Sequence, residues 1–286
     1  MKKFVSLLAV LFLISASNLY PKGFFYEIVG KNSKVYLLGS IHLAKQDAFP
    51  LDSVIENAFA SCGNLVLEVN LNNINPMEIF QYGVFQDTTK LEDVVPPKYF
   101  KIMDSLFTIY AFPKMMYNKF KPWVAVLILQ SLEMTKASED FISGVETYFI
   151  NKLDSSQKVL ELESFKEQLD IFQSLYNLDS ERFFEYFLTK NNNDKTQFDK
   201  LYEAWLKGDE KSAIELIEKE LEGFELAKQY REILLESRNR RMANIVENFL
   251  MQEGCYFVVV GAGHLIGSNG IVNLLRQKGY EAKRVK

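Results

Sequence analysis

Only two histidines occur among the 286 residues, and both close the same four-residue pattern, Gly39-Ser40-Ile41-His42 and Gly261-Ala262-Gly263-His264. Each follows a short, densely apolar run, Val35 to Leu38 in the first case and Tyr256 to Val260 in the second. A third residue belongs with them. Glu68 ends the run Leu65-Val66-Leu67, and a carboxylate at the tip of a strand buried on both faces requires a cation, a metal or a full set of hydrogen bonds, because an unpaired buried charge is costly or neutralises. Two imidazoles and a carboxylate with open positions suit a divalent ion that holds a water for attack, and manganese, cobalt, zinc or iron accepts such ligands. Further carboxylates come from Lys158-Val159-Leu160-Glu161-Leu162-Glu163, where strand alternation puts Glu161 and Glu163 on one face and the leucines on the other. Glu163 is the nearer to the strand exit. Taken singly, each residue has a plainer reading: a histidine after a strand is commonly a hydrogen-bonded turn residue, and Glu68 could bridge an arginine such as Arg238. Their joint placement favours a shared site.

For the imidazoles to meet, the strands carrying them must lie side by side. In a parallel sheet the loops leaving the carboxyl ends all emerge on one edge, where such folds place their ligands, and the glycines let the backbone turn tightly or approach a ligand closely. The apolar run Val35 to Leu38, the amphipathic stretch Leu51 to Ser61 and the run Leu65 to Val69 read as a βαβ unit. Tyr256 to Val260, a helix over Gly270 to Gln277 stopped by Gly279, and an extended segment near Ala282 to Val285 repeat that plan at the other end. Between them the spacing predicts helices over Pro76 to Tyr82, Tyr99 to Tyr110, Trp123 to Met134, Gly144 to Leu153, Phe165 to Tyr176, Glu181 to Lys190 and Glu225 to Met251, with a strand at Lys158 to Leu162. The fold class is therefore α/β (α+β): a mainly parallel central sheet built from both chain ends, capped by a large helical insertion over roughly 76–250, itself interrupted by a strand near 158–163. Asn191 to Lys195 reads as a polar turn.

Composition narrows the function. With 33 basic and 37 acidic residues the formal charge is −4, which argues against a nucleic-acid partner held by bulk charge. Lys2 and Lys3, the apolar run Phe4 to Ile14 and the small residues Ser15-Ala16-Ser17 follow the order of a secretory signal peptide over residues 1–17, leaving 18–286 as a single exported domain, periplasmic or extracellular. No later stretch is apolar over the ~20 residues that a membrane span needs, so no stable span is expected in the mature chain. Two cysteines cannot build a disulfide scaffold or a cysteine-rich zinc module. Cys62 and Cys255 each precede an apolar strand, however, and would bridge if those strands are neighbours in an oxidising compartment; otherwise they are buried thiols. Arg231, Arg238, Arg240 and Arg241 share one helix and read by default as a solvated basic face, with Arg238 reaching the sheet edge to bind a substrate carboxylate or oxyanion as the alternative. Phe183, Phe184, Tyr186 and Phe187 read as packing for the cap.

These residues carry a resemblance. Leu37-Leu38-Gly39-Ser40-Ile41-His42, Leu65-Val66-Leu67-Glu68, Gly144-Val145-Glu146, Leu162-Glu163-Ser164 with Gln168, Arg238-Asn239, and Val258-Val259-Val260-Gly261-Ala262-Gly263-His264-Leu265 together resemble the TraB/PrgY/GumN family, which is related to the Tiki metalloproteases of animals. The resemblance spans nearly the whole mature chain. It implies a metal or catalytic role for His42, His264 and Glu68 and a supporting one for Arg238. Glu146 stands where the family pattern has aspartate, which keeps the charge but lengthens the side chain. The expectation is an exported, metal-dependent hydrolase acting on a peptide or protein substrate. His42, His264 and Glu68 would hold the ion, Glu163 or Glu146 would act as general base or orient a ligand, and Arg238 would steady the developing oxyanion. The alternative is a non-catalytic exported protein that sequesters a peptide or small ligand at the same edge.

Overall fold

A computed structural model describes residues 21–41, 44–137, 141–189 and 195–285. The signal-peptide reading of residues 1–17, His42 and the polar turn after Asn191 lie outside them. Among the described residues there are eight strands: β1 (Phe24–Val29), β2 (Ser33–Ser40), β3 (Ala44–Lys45), β4 (Asn64–Leu67), β5 (Phe141–Ser143), β6 (Lys158–Glu161), β7 (Gly254–Gly261) and β8 (Ala282–Arg284). Six form the central sheet in the order β6-β4-β7-β2-β1-β8. Its four strands β6, β4, β7 and β2 are parallel, and β1 and β8 close one side antiparallel, β1 against β2 and β8 against β1.

The strand that leads to His264 thus runs beside the strand that precedes His42 in the sequence, in register from Ser33 with Gly254 to Ser40 with Gly261. β7 also separates β2 from β4, so the N-terminal βαβ unit is spread across the C-terminal strand. Both chain ends build one core. Val35, Leu37, Leu38, Leu65, Val66, Leu67 and Phe257 to Val260 are buried, as expected of strands covered on both faces by helices.

Two differences from the sequence reading concern the edges. The extended C-terminal segment is β8 on the antiparallel margin, and β1, which the apolar reading did not pick out, pairs with β2 through a short connection at Gly30, whose N–H donates to Ser33 O at 2.9 Å. The insertion holds a second extended piece besides β6. β5 pairs antiparallel with β3 to make a two-stranded ribbon just past the end of β2.

The helical cap has its own apolar cluster, in which Phe107, Tyr117, Trp123, Leu129, Leu175, Phe183, Phe184, Tyr186 and Tyr230 are buried. Phe183, Phe184 and Tyr186 therefore pack the cap, as their spacing predicts. Helices Lys195–Lys207 and Glu210–Glu220 join the sheet instead; Trp205 is fully buried and its Nε1 donates to Gly39 O at 2.8 Å. Cys62 and Cys255 form a disulfide across the starts of β4 and β7, with the Cα atoms 4.6 Å apart. Among the described residues no helix is long and apolar enough to cross a membrane.

Candidate functional site

The carboxyl edge of the parallel strands gathers most of the residues expected there. Past the end of β4 and β6 the parallel pairing continues, with Leu162 N donating to Leu67 O and Glu163 N to Glu68 O, each at 2.9 Å. That extra rung projects Glu68 and Glu163 from the same edge. Glu68 Oε1 accepts the N–H of Gly261 at 2.6 Å, tying the end of β4 to the end of β7. The glycine is required there by contact rather than by turning. Its φ is −51°, open to any residue, but a Cβ would sit 3.3 Å from Glu68 Oε1 and 3.6 Å from the His264 ring. Gly39 likewise answers to packing, since a Cβ there would meet Phe24 at 3.2 Å and Leu265 at 3.3 Å.

Arg238 links the carboxylates. It lies on helix Ser237–Met251 and is only 9% exposed. Its Nη2 donates to Glu68 Oε2 at 2.8 Å and to Glu163 Oε2 at 2.6 Å, while Nε lies 3.0 Å from both oxygens of Glu163. Arg241, one turn on, reaches Glu163 Oε1 at 2.7 Å, whereas Arg240 points to solvent and pairs with Glu232. The basic face is thus divided: Arg238 reaches the sheet edge, where it pairs with Glu68, the plainer reading of that carboxylate, and with Glu163. The remaining Arg238 nitrogen, Nη1, donates to Leu234 O at 3.1 Å. Leu234 belongs to a π-helical turn, Glu232–Glu236, which directly precedes this helix and closes with Ser237 N donating to Glu232 O. The guanidinium therefore has a partner on every nitrogen, which fixes its plane.

Burial pushes the Glu163 carboxyl up. The hydrogen bonds and charge of Arg238, with help from Arg241, outweigh that and hold it below the usual carboxylate range. Glu163 is 3% exposed, so it is an ionised group sustained by its partners. Gln168, in the first helical turn after Ser164, stands at the rim, its Nε2 3.4 Å from Glu68 Oε2 and 3.5 Å from Glu163 Oε2. The helix that presents it, Phe165–Leu178, starts with a reciprocal Ser164 and Glu167 capping box. Glu161, although on the face expected, serves the fold: its Oε1 accepts from Asn70 N at 2.6 Å and holds the loop after β4.

His264 sits on the short helix Ala262–Leu265 and is 5% exposed. Its Nδ1 lies 2.6 Å from Asn239 Oδ1, and Asn239 Nδ2 donates to Asn269 O at 2.8 Å. That second bond decides the first. A backbone carbonyl only accepts, so the Asn239 amide nitrogen must face it, its oxygen must face the ring, and Nδ1 must carry the proton. In the neutral ring the lone pair is then on Nε2, which faces Glu68 Oε2 at 3.8 Å. Two donors on one ion at about 2.0–2.2 Å lie roughly 3.3–3.6 Å apart in a tetrahedral set, so this pair has nearly the spacing of two ligands, and an imidazole whose other nitrogen donates to an amide oxygen is oriented as ligating histidines are.

Asn239, 2% exposed, is the site residue that the sequence reading named only within the family pattern; a polar residue among arginines in a helix looks solvated until the sheet edge is placed against it. Replacing it with leucine strands both Nδ1–H and Asn269 O. Asn239→Leu should lower unfolding free energy by about 1–3 kcal/mol, read by urea denaturation, and a change below the error of extrapolation would show that neither bond matters.

The fourth carboxylate stands apart. Glu146, in the first turn of helix Val145–Ile150, accepts a hydrogen bond from the Ser40 hydroxyl at the end of β2, two residues before His42. Among the described residues no group of three or more His, Cys, Asp and Glu side chains is gathered as an ion would need. His264 and Glu68 supply two donors, and His42 falls outside the described residues. The charges of the cluster also balance without an ion, with Glu68 and Glu163 opposed by Arg238 and Arg241.

The model of the TraB/PrgY/gumN family matches residues 24–284. An uncharacterised protein of Treponema pallidum is 23% identical over 277 residues, covering 89% of this chain and 80% of the relative. A protein of Nematostella vectensis named metalloprotease TIKI homolog is 22% identical over 317 residues, covering 92% of this chain and 67% of its own length. Metalloprotease TIKI2 of Xenopus tropicalis is 39% identical over 56 residues, a stretch of 19% of this chain and 11% of the frog protein. No solved structure matches the chain significantly.

Proposed function

Because the chain belongs to the TraB/PrgY/gumN family, we propose that it is an exported, metal-dependent hydrolase of peptides, with its reactive centre at the carboxyl edge of the sheet. The observation that carries this reading is His264, buried with Nδ1 pinned by Asn239 and Nε2 aimed at Glu68. His264, Glu68 and His42 would hold a divalent ion, and the parallel register of β2 with β7 supports the approach of His42 to this edge. A bound ion of this kind polarises a carbonyl and lowers the pKa of its water. The chain's own groups do the rest. Arg238 fixes the Glu68 carboxylate through Nη2 and fixes Glu163 beside it. Gly261 N–H holds the second Glu68 oxygen, so the carboxylate cannot rotate away. Gln168 offers its amide at the rim, where a substrate carbonyl would pass.

The positions of the carboxylates refine their proposed roles. Glu163 is engaged by two arginines and buried, which suits orientation rather than proton transfer. Glu146, reached by the Ser40 hydroxyl next to the β2 exit, is the better proposed general base. The disulfide between Cys62 and Cys255 supports an oxidising compartment, in line with export behind the signal peptide of residues 1–17 and with 18–286 as one domain.

The balanced charges of the Glu68, Glu163, Arg238 and Arg241 cluster favour a second reading, a non-catalytic binder that holds a peptide or small ligand at the same edge. Turnover separates the two. Purified mature protein incubated with a mixture of unstructured peptides should produce fragments, with cleavage abolished by a chelator and restored by manganese, cobalt or zinc; stoichiometric binding without fragments under any of these ions would establish the binder instead.

A further inference from the structure

Asn239, which holds His264 Nδ1, and Gly263, which precedes His264, both line a concave pocket. Its apolar lining is Ile214 and Ile217 from helix Glu210–Glu220, Leu235 from the π-helical turn and Ile266, and Asn239, Ser268 and Asn269 line it with polar groups. The volume is about 100 Å³, several times the roughly 10–15 Å³ that one water needs by the same measure. That is room for one side chain, not for a whole compact ligand. Gly263 keeps the space open: a Cβ there would lie 3.6 Å from Leu235 and 3.8 Å from Ile217, across a gap about one methyl wide.

Glu218, Glu236 and Arg231 also line it, a set that sums to one negative charge and so disfavours an acidic side chain, while an apolar one buries its surface against four branched residues. A second hollow shares Ile214 and Ile266 with the first and continues to Tyr26 and Arg276. The two hollows thus adjoin where helix Glu210–Glu220 meets Ile266.

Resting on the peptide-hydrolase reading, we infer that this pocket is a specificity subsite that takes a leucine-sized apolar side chain of the substrate, next to the residue at the reactive centre. Burying such a side chain gives a preference of about tenfold or more over a residue left in water. The residues that set the preference are Ile217, Leu235 and Gly263.

The test needs no turnover. Two end-blocked pentapeptides, alanine throughout except for a central leucine or a central aspartate, are titrated calorimetrically into the mature protein in the presence of a chelator. The leucine peptide should bind at least tenfold tighter. Ile217→Asp should remove that preference, and Gly263→Ala, which meets only ordinary contacts, should weaken leucine binding several-fold with thermal unfolding unchanged. Equal affinity for the two peptides, no binding of either, or a preference that survives both substitutions would overturn the subsite. Absence of cleavage in the separate turnover assay, with the leucine preference intact, would instead remove the hydrolase reading and leave the pocket as a ligand site.

Discussion

Arg238→Met is expected to lower unfolding free energy by about 3–5 kcal/mol, the cost of leaving a buried charge without its partner. The guanidinium makes its ion pairs with two carboxylates, and one of them, Glu163, has a side chain only 1% exposed. Without Arg238, Glu163 keeps the half-exposed Arg241 as its one cation, Glu68 keeps the N–H of Gly261, and both keep the long contact from Gln168. Methionine preserves much of the buried stem, so the loss reads out charge and hydrogen bonding more than packing. Adding Glu163→Gln to Arg238→Met should recover part of the loss, because the amide no longer demands a counter-charge. Urea unfolding of the two variants decides the matter. A stability within 1 kcal/mol of wild type (about fivefold in the folding equilibrium) for Arg238→Met alone would mean that solvent or Arg241 replaces it, and that the guanidinium does not organise the edge.

The disulfide should have an effect of similar size. It joins positions 193 residues apart and ties the starts of β4 and β7, which are hydrogen-bonded neighbours. Closing so long a loop constrains the unfolded chain strongly, and removing a native bridge of this kind typically costs about 2–5 kcal/mol. Cys62→Ser with Cys255→Ser should therefore lower the midpoint of thermal unfolding by roughly 5–15 °C, at about 2–4 °C per kcal/mol for a chain of this order. Reductant should shift the wild type by a similar amount and leave the double variant unmoved. An equal response of both proteins to reductant would show that the bridge is not what holds these strands.

Much of the site was legible because strand ends are marked in the sequence by chemistry that does not belong in a core. Glu68 after Leu65-Val66-Leu67 and His264 after Tyr256 to Val260 can be placed on one edge without knowing strand order, since every parallel strand exits there, whereas His42 lies outside the described residues. The order itself was not legible. That β7 lies between β2 and β4 depends on long-range pairing that no local pattern encodes.

The arginines show a second limit. Helical spacing places Arg238 and Arg241 on one face and Arg240 on another, but which face is buried depends on where the sheet edge meets the helix. The π-helical turn at Glu232–Glu236 also changes the phase that a uniform helix over Glu225 to Met251 would have. Asn239 has no readable role outside the family pattern for the same reason. β1, by contrast, carried a readable signal: Phe24, Phe25, Tyr26 and Ile28 are buried, and the Gly30-Lys31-Asn32-Ser33 turn before β2 marks a hairpin. The helices Lys195–Lys207 and Glu210–Glu220 were readable too, since Phe198, Leu201, Tyr202 and Trp205 recur at helical spacing; the polar residues around them masked that stripe.

The central claim is that one imidazole from each end of the chain shares a divalent ion with Glu68. Elemental analysis of untagged mature protein, dialysed against manganese, cobalt, zinc and iron in turn, should find about one equivalent of metal in the wild type for the preferred ion, and a loss of most of it in both His42→Ala and His264→Ala while each variant remains folded. Metal content unchanged in both substitutions would contradict the account.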